Sequence, residues 1–160
     1  MAKIIKLTQG CYAHVDDDVF EWARNHKWFA HIEGHIFYCE RKQNRRVVRI
    51  HREIMETKPG ERVDHRDGNG LNNLRSNLRN CTPAENGRNR KVNKNNSSGL
   101  RGVSWSKPHR KYHAHIRHNY ELLSLEYFTD RPEAGIARDR AAIRLHGEFA
   151  SLNFPKENYV

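Results

Sequence analysis

Between positions 62 and 90 the chain reads RVDHRDGNGLNNLRSNLRNCTPAENGRNR, a run too polar to form a core of its own. Aspartate, histidine and asparagine crowd it at close spacing. Such a segment holds a shape only when its side chains are bonded to something, and a metal ion beside a phosphate has the right chemistry. Asp64 and His65 are adjacent, so on an extended strand they point to opposite faces. One can then ligate a cation while the other reaches a water next to it. Asn77 lies twelve positions after His65, and Asn86 twenty-one after it. Pro83 and Glu85 are good first-turn residues, which predicts a helix starting near Thr82. The expected layout is strand, long loop, short strand and helix. Taken one at a time, Asp64, Asn77 and Asn86 are also ordinary turn formers.

Charge narrows the class of partner. The 160 residues carry a formal net charge of +10, with 29 Lys and Arg, and only 36% of them are hydrophobic. That excess favours a polyanion, and the chain has room for one or two domains. No stretch approaches the ~20 apolar residues of a membrane span. The N-terminal MAKIIKLTQG lacks the apolar centre of a signal peptide. Cys11, Cys39 and Cys81 are far apart and odd in number, which indicates neither a disulfide framework nor a zinc knuckle. An intracellular, cytoplasmic protein that is neither secreted nor membrane-bound is expected.

Residues 1–60 read as a small mixed unit. A strand is predicted at 3–7 and a helix at 16–24 capped by Asp16. A hairpin over 27–32 and 35–40 turns at Glu33-Gly34, a third strand covers 45–50, and a short helix covers 51–57. Trp22, Trp28 and Phe29 fit a core better than a base-stacking platform. His51 is a candidate site residue or, with a stronger case, a packed structural histidine. Residues 91–99, KVNKNNSSG, look like an extended linker. From Asn86 to His118 there are nine basic residues and no Asp or Glu, a pattern suited to following a phosphate backbone. Within and after it come three strand-like runs, 102–106, 111–117 and 122–128. A helix then begins at Asp130, with Glu133 in capping-box position and Ala134, Ala137, Ala141 and Leu145 on one face, and Gly147 ends it. Arg138, Asp139, Arg140 and Arg144 fit solvated or intra-domain pairs.

Two family resemblances follow from these residues. VDHRDGNGLNNLRSNLRNCTPAENGRN resembles the HNH nuclease motif, the ββα-metal unit, as found in phage and intron homing endonucleases. LTQG, VDDD and HREIM ahead of it are similar to the N-terminal region of many phage HNH proteins. The resemblance implies Asp64 and Asn86 as the protein ligands of one divalent metal, Mg²⁺ or alternatively Mn²⁺. It also implies His65 as general base, with Asn77 holding that histidine in place. SGLRGVSW, KYHAHIR and YFTDRPEAGIARDRAAIRLHGEFASLNFP resemble the ethylene-response (APETALA-type) DNA-binding domain, whose three-stranded sheet enters the major groove. By position that places Arg101, Trp105, Tyr112, His115 and Arg117 on a DNA-facing sheet, with Arg88, Arg90, Arg110 and Lys111 as further DNA contacts. Ser104, Ser106 and His115 depart from the plant pattern, so no base sequence carries over.

The chemistry asks for these residue types. Imidazole, with a pKa of about 6.5, can take a proton from water near neutral pH. A hard cation stabilises charge on the phosphorane and on the leaving oxygen. The expectation is therefore an α+β protein with a nuclease region over 1–93 (motif 62–90), a linker at 94–99 and a DNA-binding domain at 100–160. It would hydrolyse phosphodiester bonds of duplex DNA as a homing-type endonuclease, with no small-molecule substrate, in the host cell of a phage or mobile element. A monomer and a homodimer fit equally. The rival is a DNA-binding regulator whose HNH motif is inactive.

Overall fold

A computed structural model describes residues 2–89, 92 and 95–159. Four α-helices and four small antiparallel sheets are found among them. The chain divides into two compact units, Met1–Gly87 and Arg88–Val160. No helix among the described residues is long and apolar enough to cross a membrane.

In the first unit β1 (Ala2–Lys6) pairs antiparallel with β2 (Tyr12–Asp16). β2 is a strand the sequence reading did not include. Ala13 and Val15 are buried while Tyr12 and His14 are exposed, a period-two pattern diluted by the low strand propensity of alanine and aspartate. Asp16 stands at the N-cap of α1 (Asp17–Ala23) but makes no capping bond. Its carboxylate accepts instead from the backbone N–H of Arg75 at 2.9 Å. β3 (Phe29–Glu33), β4 (Ile36–Gln43) and β5 (Arg46–Arg49) form a second sheet in that order. Asn44 and Arg45 both take positive φ, the hairpin turn whose twist suits two antiparallel strands. That turn removes Arg45 from the third strand expected at 45–50.

The core of this unit joins the two sheets through Val15, Val19, Ala23, Cys39 and Ile50. Trp28 is buried with them, and its indole N–H donates to the Ala23 carbonyl at 2.9 Å. α2 (Ile50–Ile54) is shorter than predicted. Then come β6 (Arg62–His65), β7 (Leu78–Cys81) and α3 (Pro83–Arg88), the expected strand, loop, strand and helix.

The second unit is a three-stranded sheet under one helix. β8 (Val103–Ser106), β9 (Lys111–His118) and β10 (Glu121–Phe128) lie with β9 in the centre. α4 (Arg131–His146) buries Ala134, Ala141 and Ala142 against Val103, Ala114 and Ile116. Asp130 accepts from the Glu133 N–H at 3.2 Å, the cap expected there. Part of the predicted linker belongs to this unit. Ser98 is buried, its hydroxyl donates to the Val103 carbonyl at 2.6 Å, and its carbonyl accepts from Arg131 at 3.2 Å. A short polar residue tucked under a strand end satisfies backbone groups that a solvated linker would leave to water.

Arg138 and Asp139 form the intra-domain pair the sequence allowed, but both are buried. Asp139 accepts from the N–H groups of Asn153 and Phe154, at 2.6 and 3.1 Å, and from the Tyr159 hydroxyl at 2.8 Å. The Asn153 amide and the Arg138 guanidinium complete its shell at 3.0 and 3.1 Å. One carboxylate thus pins the whole tail after α4. Gly135 leaves room for that tail, since a Cβ there would meet the Phe154 ring at 2.7 Å. Asp139→Asn is expected to destabilise the second unit by about 2–4 kcal/mol, because an amide turns its NH₂ either on the Asn153 and Phe154 N–H groups or on the Arg138 guanidinium, which only donate. Urea denaturation of the variant against the parent measures this, and an unchanged midpoint would remove Asp139 from that role.

Candidate active site

The polar run after β6 is folded on itself by its own side chains. The Asn77 amide oxygen accepts from the Asp67 N–H at 3.1 Å. Its NH₂ donates to the Asp67 carboxylate at 3.0 Å and to the Asn72 carbonyl at 2.8 Å. Asp67 also accepts from the Asn69 N–H and the Asn72 amide, both at 2.8 Å. Burial works to raise the Asp67 carboxyl, but these donors outweigh it and hold it below the usual carboxylate range. The loop is docked at three places. Arg75 clasps Asp18 of α1 at 2.8 Å. His14 of β2 exchanges backbone bonds with Leu71 and Asn73, at 2.9 and 2.8 Å. Gly70 lies so close to β4 that a Cβ would meet the Phe37 carbonyl at 2.4 Å.

Asp64 and His65 sit side by side at the end of β6, both buried. Asp64 faces Arg79 across the strand pair, and that guanidinium bonds Asp64 Oδ2 twice, through Nε at 2.8 Å and Nη2 at 2.6 Å. A carboxylate out of water needs such a partner. The His65 ring packs edge-on to His51 of α2 with centroids 5.0 Å apart, and Tyr38 of β4 lies 6.1 Å away. Burial lowers the His65 imidazole below its ordinary value, opposed by a bond to Asn73 and by the charges of Asp67 and Asp64. His51 is pushed down to about 3, first by burial and then by His65, Arg49 and Arg52. Burial thus keeps this ring neutral through the physiological range.

Asn86 lies half-buried on α3. That short helix begins with a reciprocal capping box. The Thr82 N–H donates to Glu85 at 2.7 Å, and the Glu85 N–H donates to Thr82 Oγ1 at 3.3 Å. Asp64 and Asn86 offer a carboxylate and an amide, oxygen donors suited to a hard cation that keeps its waters. No group of three or more His, Cys, Asp or Glu able to hold a metal occurs among the described residues, so any such ion would draw on waters and substrate oxygens. Asn77 was expected to hold His65, but its side chain bonds Asp67 and Asn72. The amide on the imidazole belongs to Asn73, which is fully buried. Asn73 and Arg79 are partners the sequence does not single out, since neither stands apart from its neighbouring asparagines and arginines.

The nucleic-acid residues separate by face. Trp105 pairs across the strands with Tyr112, and Val103 with Ala114, so both aromatics lie on the side of the sheet that α4 covers. Tyr112, expected on the DNA-facing sheet, is on that sheet but packs into the core under α4. His115 and Arg117 point the other way, with Lys111 and His113. Tyr127 stacks between His109 and His113 on this outward face, at centroid distances of 4.1 and 4.7 Å. No sequence period reveals that ladder, because its rings come from a turn and two strands. Arg110 is exposed in the β8–β9 turn, and Arg88 ends α3 half-buried. Arg101 precedes β8, and its guanidinium pKa is lowered by burial and by Arg138. Arg90 lies outside the described residues.

No protein-family model matches the chain. It is 36% identical over 119 residues to Protein 3.8 of Escherichia phage T7, covering 68% of this chain and 93% of that protein. It is 29% identical over 147 residues to the uncharacterized HNH endonuclease L560 of Acanthamoeba polyphaga mimivirus, covering 91% of this chain and 76% of that one. The second likeness suggests a nuclease.

Two outcomes follow from this geometry. His51 has a folded-state pKa near 3, below the unfolded value of about 6.5. The unfolded chain therefore binds the extra proton. Stability from neutral His51 is complete above about pH 6.5 and is lost as pH falls toward 3, by up to about 1.4 kcal/mol per pH unit. His51→Phe should flatten that acid limb in urea titrations across the window; an equally steep limb would refute the assignment. Asn77→Ala should speed amide hydrogen exchange across residues 66–77 while leaving β1 and β2 protected, at a cost of about 1–3 kcal/mol to the loop. Exchange unchanged there would mean the loop is held by its docking points alone.

Proposed function

The chain belongs to the family of Protein 3.8 of Escherichia phage T7, and we propose that it is a metal-dependent, homing-type endonuclease that hydrolyses phosphodiester bonds of duplex DNA. The observation that carries this reading is the pair Asp64 and His65, adjacent and buried at the end of a short strand, with Asn77 in the loop before the next strand and Asn86 on the helix after it. The likeness to a mimivirus protein named as an HNH endonuclease supports it. So does the resemblance of residues 62–90 to the ββα-metal motif.

His65 acts as the general base. Its lowered pKa keeps the imidazole neutral near pH 7, so it can accept a proton from a water molecule. The oxygen of that water forms the new bond to phosphorus as the bond to the 3′ oxygen breaks. The leaving oxygen takes its proton from solvent, which gives 5′-phosphate and 3′-hydroxyl ends. Asp64 and Asn86 would hold one divalent cation, Mg²⁺ or Mn²⁺, which supplies charge stabilisation to the phosphorane and leaving oxygen. Arg79 keeps the Asp64 carboxylate aimed. Asn77 keeps the loop after His65 closed around Asp67.

The second unit resembles the ethylene-response DNA-binding domain and serves as the part that holds duplex DNA. Lys111, His115 and Arg117 on its outward face, with Arg110, Arg88 and Arg101, are the contacts proposed, and Arg90 adds charge. Tethering the cutting unit to this one raises its local concentration near the bound site. A DNA-binding regulator with an inactive motif would share that surface and differ only in cutting.

Supercoiled plasmid distinguishes the two. The parent protein should nick or linearise it with Mg²⁺ and stop on addition of chelator. His65→Ala should cut at least ~10²-fold more slowly while binding DNA as before. Lys111→Ala with Arg117→Ala should weaken binding and lower the salt slope by about two. Binding without metal-dependent cutting by the parent would leave only the regulator.

A further inference from the structure

We propose that Asn73 is the residue that sets the tautomer of His65, holding its proton on Nε2 and leaving Nδ1 as the atom that accepts a proton. The inference deepens the nuclease reading, because it names which ring atom the base uses.

It starts from a side chain with no access to water. Asn73 is fully buried, its Oδ1 lies 3.3 Å from His65 Nε2, and its Nδ2 lies 3.5 Å from the Gly70 carbonyl. A carbonyl oxygen only accepts, so the amide group turned toward Gly70 is the NH₂ and the one turned toward His65 is the oxygen. Flipping the amide would set two oxygens against each other at Gly70 and spend the NH₂ on the ring. An amide oxygen cannot donate, so the hydrogen in the bond belongs to Nε2. A neutral imidazole with a proton on Nε2 carries its lone pair on Nδ1.

The amide is held from outside as well. Its own backbone N–H donates to the His14 carbonyl of β2 at 2.8 Å. Gly70, which receives its NH₂, is pressed against β4, where a Cβ would meet the Phe37 carbonyl at 2.4 Å and the Tyr38 ring at 2.8 Å. The ring it bonds is walled by His51 and Tyr38. Two sheets and a helix therefore fix the donor and the acceptor before any substrate arrives. Asn73 acts through His65, so it is a positioning residue.

Long-range ¹H–¹⁵N correlation spectra of ¹⁵N-histidine protein, without metal or DNA and above pH 7.5, read the tautomer directly. His65 is assigned by its absence in His65→Gln. The parent should show the Nε2–H form alone. Asn73→Leu, which keeps the bulk and loses the acceptor, should show a mixture and cut plasmid roughly 10–100-fold more slowly at unchanged DNA affinity. An Nδ1–H parent overturns the inference, and so does a folded Asn73→Leu with the parent's tautomer. If Asn73→Leu does not fold, the parent spectrum decides alone. If the parent is Nε2–H but His65→Gln cuts normally, the tautomer assignment stands and the base reading is what fails.

Discussion

Asn73 and Asn77 are buried polar side chains, and the bonds they make help set the conformation of residues 66–77. The loop between β6 and β7 sends Leu71 into the core and otherwise gains its shape from amides and one carboxylate. Asn77 closes it on Asp67, Asn72 braces Asp67, and Asn73 reaches the ring of His65. The bonds are mutually dependent, since Asp67 serves three donors and Asn77 serves two elements of the loop. Networks of this kind rigidify when complete and fail together when one member is lost. Rigidity of this kind suits the base role proposed for His65.

Each unit repeats the theme with a carboxylate out of water. Asp64 is matched by Arg79 directly across a strand pair, so the same backbone register that forms the sheet sets the ion pair. Asp139 is matched by one adjacent arginine, a tyrosine, an asparagine and two backbone N–H groups from the tail. The first arrangement leaves a carboxylate aimed beside an imidazole. The second ties the tail through Tyr159 back onto α4.

The outward face of the second sheet carries a different chemistry from its helix-facing side. Tyr112, large enough to suggest base contact, instead packs into the core on the inner side, and Trp105, which lies edge-on to it, stays exposed at the sheet's rim. His109, Tyr127, His113 and His115 form a row of rings on the outer side, with Lys111 and Arg117 beside them. The face also carries exposed Leu122, opposite Arg117, and exposed Tyr127, so charge and ring donors stand beside apolar surface on it.

Much of the local structure was legible in the chain itself. The runs at 111–117 and 122–128 alternate strongly enough to declare β9 and β10, and Asp130 with Glu133 declares the start of α4. Thr82, Pro83 and Glu85 likewise mark the start of α3, because capping is chemistry between near neighbours. Alanine dilutes the alternation of β2 below what a local pattern shows, and Asp16 reads locally as a cap although its partner, Arg75, lies far along the chain. The sequence alone placed Asp64, His65, Asn77 and Asn86 in one polar run and predicted a strand, a loop, a strand and a helix to carry them. Only the tertiary structure decided that Asn73 bonds the imidazole, that Arg79 bonds the carboxylate and that Tyr112 faces inward. Those outcomes depend on strand register and on which loop docks against which sheet, and both are settled by contacts between residues that no local pattern links.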